Sequence, residues 1–167
     1  METHMHEKSI DLLNQAIADE LAAVHQYMYF HFHLDDLGYL PLANLLKMTA
    51  IQEMQHAERL AERILFLGGE VEMAVAHPVE KITDAVAMLD KAKAMEQESI
   101  GTYNRFAVQC AQNADSASKK LFEDLVASEE THYDQFDQQA RFVRRFGEPY
   151  LALQSFKADA GGGPAST

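Results

Sequence analysis

Cysteine is almost absent: Cys110 is the single thiol in 167 residues. One thiol excludes a disulfide framework, a zinc-thiolate site and a rubredoxin-type iron site within one chain. Basic charge is scarce as well, since 14 Lys and Arg face 26 Asp and Glu for a net charge of −12. Nucleic acid and anionic membranes both require a basic face, so neither is an expected partner, whereas cations are. No apolar run approaches membrane-spanning length, and the opening Met1-Glu2-Thr3-His4-Met5-His6 lacks the basic-then-apolar order of a signal peptide. A cytoplasmic location is the resulting expectation. Prolines number four and glycines eight, three of the latter in Gly161-Gly162-Gly163-Pro164. With so few breakers the chain reads as helix almost throughout, in one domain over 1–158 with a disordered Gly-rich tail over 159–167. A chain of this length buries a core without staples.

The breakers place the joints. A first helix is predicted from about Glu7 to Leu37, ending at Gly38-Tyr39-Leu40-Pro41, and a second from about Leu42 to Leu67, stopping at Gly68-Gly69. A third begins near Thr83 as N-cap and ends near Gln112-Asn113. The fourth runs from about Ser116 to Phe146, before Gly147, and a short fifth covers Pro149 to Phe156. The first and third connections are short, so each helix pair should form an antiparallel hairpin. The second helix, roughly 26 residues at 1.5 Å each, is about 40 Å long. The segment Gly69 to Ile82, about 14 residues at no more than roughly 3.5 Å each, can just span it. The third helix can then run parallel to the second, giving an all-α, ferritin-like four-helix bundle with one long crossover.

The chain writes one phrase twice. Glu20 stands 33 residues before the Glu53-x-x-His56 pair, and Glu96 stands 33 before Glu129-x-x-His132. Positions i and i+3 share a helix face, so each pair offers a carboxylate and an imidazole to one point. All six fall on the apolar seams. These run Ile10, Leu13, Ile17, Glu20, Val24, Tyr27, His31 on the first helix and Leu46, Thr49, Glu53, His56, Leu60, Ile64 on the second. On the third and fourth they run Leu89, Ala92, Glu96, Ile100, Tyr103, Ala107 and Leu121, Leu125, Glu129, His132, Phe136. Chance accounts for one Glu-x-x-His, but not for four carboxylates on core seams. Buried without compensation, each costs several kcal/mol, on the order given by ion desolvation. Two divalent ions cancel the four charges and take two neutral imidazoles as further ligands, which is the di-iron or di-manganese set of a helical bundle. Fe(II) or Mn(II) suits such ligands; zinc fits them but brings no redox chemistry. Tyr27 and Tyr103 lie seven residues after Glu20 and Glu96 and flank the site, as core packing or as electron-donating or hydrogen-bonding groups.

At these residues the chain resembles the bacterioferritins, the haem-containing branch of the ferritins, over nearly its whole length. The matching text is Glu20-Leu21-Ala22-Ala23-Val24-His25-Gln26-Tyr27, then Glu53-Met54-Gln55-His56-Ala57-Glu58-Arg59, Glu129-Glu130-Thr131-His132, and Arg63-Ile64-Leu65-Phe66-Leu67-Gly68-Gly69. Non-haem ferritins lack a second complete Glu-x-x-His. The resemblance implies that Glu20 and His56 are terminal ligands of one iron and Glu96 and His132 of the other, with Glu53 and Glu129 bridging. It makes Met54 a haem ligand, two copies clamping one haem across a twofold subunit interface. The stripe Ala43, Lys47, Ala50, Met54, Ala57, Ala61 is mostly small and suits a flat macrocycle or a closely packed helix. Leu21, His25 and Met28 occupy the neighbouring face of the first helix. Where some bacterioferritins carry a His and an Asp as an inner-surface iron stop, this chain has Met48 and Gln52, which bind hard cations poorly. His4, His6, His25 and His33 lie off the seams and read as surface or interface residues.

The function implied is an iron-storage ferroxidase. Two Fe(II) ions bind within one subunit, O2 or H2O2 takes one electron from each, and ferric mineral is stored in a hollow homo-oligomeric shell of 24 subunits. Twofold dimers share haem, and a small ferredoxin-type reductant is the implied electron source. Tyr27 joins the six ligands as a candidate catalytic residue. Two rivals are a rubrerythrin-type di-iron peroxidase, which usually carries the Cys-rich segment missing here, and a DNA-binding miniferritin, whose ligands come from two subunits. A haem-free ferritin is the third alternative.

Overall fold

The computed structural model describes residues 6–160. Its elements are α1 (Glu7–Asp36), α2 (Leu40–Phe66), α3 (Ala85–Gln112), α4 (Ser116–Phe146) and α5 (Glu148–Ala160), with no strand among the described residues. The fold class is the expected one. Helix bounds match the sequence-based expectation closely, with three differences. Helix α2 begins at Leu40, before Pro41, because proline is tolerated in the first turn, where no intrahelical N–H is required. The N-cap of α3 is Asp84, not Thr83: its carboxylate accepts the Ala87 amide at 2.8 Å. Helix α5 outruns the expected Pro149–Phe156 at both ends. The expected tail lies, from Gly161 onward, outside the described residues.

Helices α1 and α2 pack along each other, as do α3 and α4. Three helix ends close in the same way. After α2, Gly68 takes φ +77°, its amide reaches Leu65 O at 3.0 Å, and the Gly69 amide reaches Ile64 O at 3.0 Å. The end of α1 repeats this around Gly38, while the end of α3 uses Ala114 at φ +55°. Gly69 is needed for another reason: a Cβ there would stand 2.8 Å from Ile10 Cγ2 of α1.

The crossover between α2 and α3 runs back along α1, held at both ends by side-chain amides. Asn14 donates to Glu70 O and accepts from the Glu72 amide, both at 2.9 Å. Gln26, fully buried, donates to Glu80 O at 2.9 Å and accepts from the Glu80 amide at 2.8 Å. Ala76 N–H bonds Ala18 O between them. The chain thereby returns to the end where α2 began, and the first residues of α3 join Phe30, Leu34 and Leu42 in one apolar cluster. Helix α3 therefore runs parallel to α2, as the length argument required.

Two apolar clusters fill the bundle. One gathers Tyr27, Phe30, Leu46, Met88 and Phe136, and the other Leu13, Ile17, Leu60, Ile64, Tyr103 and Phe122. Phe122 of α4, not the expected Leu121, is the buried member; Leu121 is half-buried. Between the clusters lies a layer of buried carboxylates and imidazoles. Helix α5 caps one end, against α2 and α4.

Candidate metal centre

Each of the four long helices places its ligand candidates in that middle layer. Glu20, Glu53, His56, Glu96, Glu129 and His132 are all at most 5% exposed. Their atoms form two groups, Glu20/Glu53/His56/Glu129 and Glu53/Glu96/Glu129/His132, each with its donor atoms within 4.8 Å of one another. Glu53 and Glu129 belong to both. His56 Nδ1 lies 2.8 Å from Glu53, 3.2 Å from Glu129 and 3.5 Å from Glu20. His132 Nδ1 lies 3.1 Å from both Glu53 and Glu129 and 3.6 Å from Glu96. The imidazoles face each other with ring centroids 5.8 Å apart. The arrangement has an approximate twofold symmetry matching the duplicated phrase.

Without metal the site is frustrated. Burial would depress the His56 imidazole, but Glu129, Glu20 and Glu53 around it push it up to about 12. His132 is likewise pushed up to about 12 against its burial, by Glu129, Glu53 and Glu96. Burial, with the Glu53 charge, raises Glu20 and Glu96 well above the usual carboxylate range. Burial also works against Glu53 and Glu129, yet the two histidines set against them hold each below that range. Even so, Glu53 Oε2 and His56 Nδ1, buried and 2.8 Å apart, do not meet each other or any other group in hydrogen-bond geometry. Buried polar atoms are normally satisfied. Two divalent cations would neutralise the four carboxylates and take the place of the imidazolium protons, so the donor set fits a di-metal centre.

The tyrosines cross over. Tyr27 of α1 donates to Glu96 of α3, and Tyr103 of α3 donates to Glu20 of α1 at 2.8 Å. Both rings are fully buried. Spacing along one helix suggested only that they flank the site; the bonds reach across the bundle. Sequence reasoning also missed Gln52, read only as a poor cation ligand: its Oε1 lies 2.8 Å from His132 Nε2. Placed one residue before Glu53, it offered no periodic signal of its own.

The remaining candidates scatter. Met54 is 52% exposed, on the side of α2 away from the core. Along its stripe Ala43 and Ala50 are buried, Ala57 and Ala61 half-buried, and Lys47 exposed. On α1, His25 is exposed while Leu21 and Met28 are half-buried. Met48 is exposed. His6 and His33 are half-buried, His31 Nδ1 contacts Ala43 O at 2.8 Å, and His4 lies outside the described residues. Cys110 is buried, and burial pushes its thiol up to about 11, which suits a core residue.

A four-helix bundle with one crossover and a doubled carboxylate–histidine centre defines a ferritin-like protein, and the family model described as the ferritin-like domain matches residues 10–146. The bacterioferritin of Desulfovibrio desulfuricans is 36% identical over 145 residues, 87% of this chain and 81% of the relative. That of Brucella melitensis is 33% identical over 91% of this chain and 95% of its own. The X-ray structure of the Desulfovibrio desulfuricans bacterioferritin, described as showing the diiron site in different catalytic states, superposes with a TM-score of 0.90 at 33% identity. It covers 100% of this chain and 97% of that chain. The chain belongs to the bacterioferritins. Among the described residues no helix is long and apolar enough to cross a membrane.

Proposed function

We propose that the chain is an iron-storage ferroxidase. The observation that carries the reading is the pair of overlapping four-ligand groups sharing Glu53 and Glu129. Two Fe(II) ions are the substrates, one between Glu20 and His56, the other between Glu96 and His132, with Glu53 and Glu129 bridging. With O2, two Fe(II) and two protons give two Fe(III) and H2O2; with H2O2, two Fe(II) and two protons give two Fe(III) and two waters. The carboxylates favour the ferric product, since added positive charge is met by fixed negative charge in a water-poor layer. The Tyr27 and Tyr103 hydroxyls orient the terminal carboxylates during this change.

The oxidised iron is stored as ferric mineral inside a hollow shell of 24 subunits in the cytoplasm, and the net charge of −12 draws cations to it. Met54 is the residue that would hold a haem, heme b or a related iron porphyrin, together with the same methionine of a second copy. Its exposed thioether and the small Ala57 and Ala61 beside it fit such a group. When bound, the haem supplies one-electron chemistry, with a small ferredoxin-type protein as reductant. Stopped-flow Fe(II) oxidation tests the core of the reading. Glu53→Ala and Glu129→Ala should lose the fast phase while still assembling, and unchanged kinetics would overturn the assignment. Haem is tested separately: an absorption band present in the wild type should vanish in Met54→Leu.

A further inference from the structure

We infer that Gln52 is a positioning residue for one half of the metal pair, the Glu96–His132 half, and that the two halves are for this reason unequal. The inference rests on the di-metal reading above and deepens it. His132 presents Nδ1 to the carboxylates and Nε2 to Gln52 Oε1 at 2.8 Å. When Nδ1 takes a metal ion, the only proton left on the ring is on Nε2. The Gln52 carbonyl oxygen is the acceptor for that proton. The bond fixes the ring plane and the tautomer together and raises the basicity of the ligating nitrogen. It also joins α2 to α4 beside the centre, so His132 cannot turn away from the metal without breaking it.

The duplicated phrase sharpens the inequality. In the first copy the residue before the bridging glutamate is Gln52; in the second, before Glu129, it is Ser128, with a much shorter side chain. The tyrosine bonds treat the halves alike, since each terminal carboxylate receives one hydroxyl. Gln52 breaks that equivalence. Its side chain is exposed over much of its surface, and its Oε1 is turned to His132 Nε2. It therefore acts on the metal only through His132.

Co(II), whose visible absorption reports each bound ion, distinguishes the possibilities in the intact assembled protein. The wild type is expected to take two equivalents per chain. Gln52→Met, which keeps the length but loses the acceptor, should weaken one equivalent by about tenfold to a hundredfold and leave the other unchanged. Crystals of the Co(II)-loaded variant should show reduced anomalous occupancy at the Glu96–His132 position alone. Gln52→Glu restores an acceptor and should restore the second equivalent. Equal weakening of both ions, no weakening, or failure of Gln52→Glu to rescue would overturn the inference. A wild type that binds no pair of ions would instead overturn the di-metal reading itself.

Discussion

Tyr103 of α3 donates a hydrogen bond from its hydroxyl to Glu20 of α1 at 2.8 Å, and Tyr27 of α1 returns the same bond to Glu96 of α3. Each phenol is fully buried and donates to the carboxylate carried by the other helix. Burial, reinforced by the adjacent carboxylates, pushes both phenols well above their usual range, which keeps them protonated as donors.

Tyr103→Phe keeps the ring and deletes the donor, leaving a buried Glu20 oxygen without its partner. Loss of a buried hydrogen bond to an ionisable group costs about 1–3 kcal/mol. Urea unfolding of the metal-free variant should show that loss, and Tyr27→Phe a similar one through Glu96. Wild-type stability in both would mean that the hydroxyls are not structural partners of the carboxylates.

The centre was legible because its ligands obey helical periodicity. Six residues at fixed spacing on apolar seams need little tertiary information to be assigned inward. The supporting contacts were not legible, because their partners lie on other elements. Gln26 reads as an off-seam polar residue, and only the crossover laid against it explains its burial. Gln52 and the crossed tyrosine bonds depend on how α2 meets α4 and α1 meets α3. Asp84 displaced Thr83 as cap because its carboxylate, the stronger N-cap group of the two, accepts the Ala87 amide.

Gln26 should matter more than a surface amide. Gln26→Leu leaves the Glu80 N–H without its acceptor, while the Glu80 C=O keeps the Ile82 amide and an apolar side chain stays inside. Stability should fall by about 1–3 kcal/mol for the orphaned N–H. The decisive measurement is hydrogen exchange at the Glu80 amide, which should lose protection before the amides of α2 do. Equal protection in variant and wild type would show that the crossover is held by other contacts.

Ala114 occupies the left-handed position that Gly38 and Gly68 fill at the other helix ends, with φ +55°. An L-residue with a Cβ is strained there by about 1–2 kcal/mol, and the extra freedom of glycine in the unfolded chain returns about 0.4–1 kcal/mol of that. Ala114→Gly should therefore stabilise the protein by about 0.5–1 kcal/mol in denaturant titration. Gly68→Ala should do the opposite. A destabilised Ala114→Gly would contradict the strain argument.

Metal removal should make stability depend on pH in a particular direction. In the metal-free fold the surrounding carboxylates push His56 and His132 up to about 12, far above the ordinary imidazole range near 6.5. Such a raised group contributes stability that is complete below about pH 6.5 and is lost as pH rises toward the folded value. Glu20 and Glu96, raised well above their usual range, also hold protons that the unfolded chain releases. Glu53 and Glu129 are lowered and lose their contribution only in acid. Between pH 7 and 9 the folded state thus binds more protons, and each extra one lowers stability by about 1.4 kcal/mol per pH unit. The melting temperature of chelator-treated protein should fall across that range. Divalent ions take the place of those protons, so the loaded protein should melt with a flatter pH profile. Calorimetric titration with Co(II) in buffers of different ionisation enthalpy should report release of about two or more protons per metal pair. A flat metal-free profile together with proton-neutral binding would show that the imidazoles are not protonated in the metal-free fold.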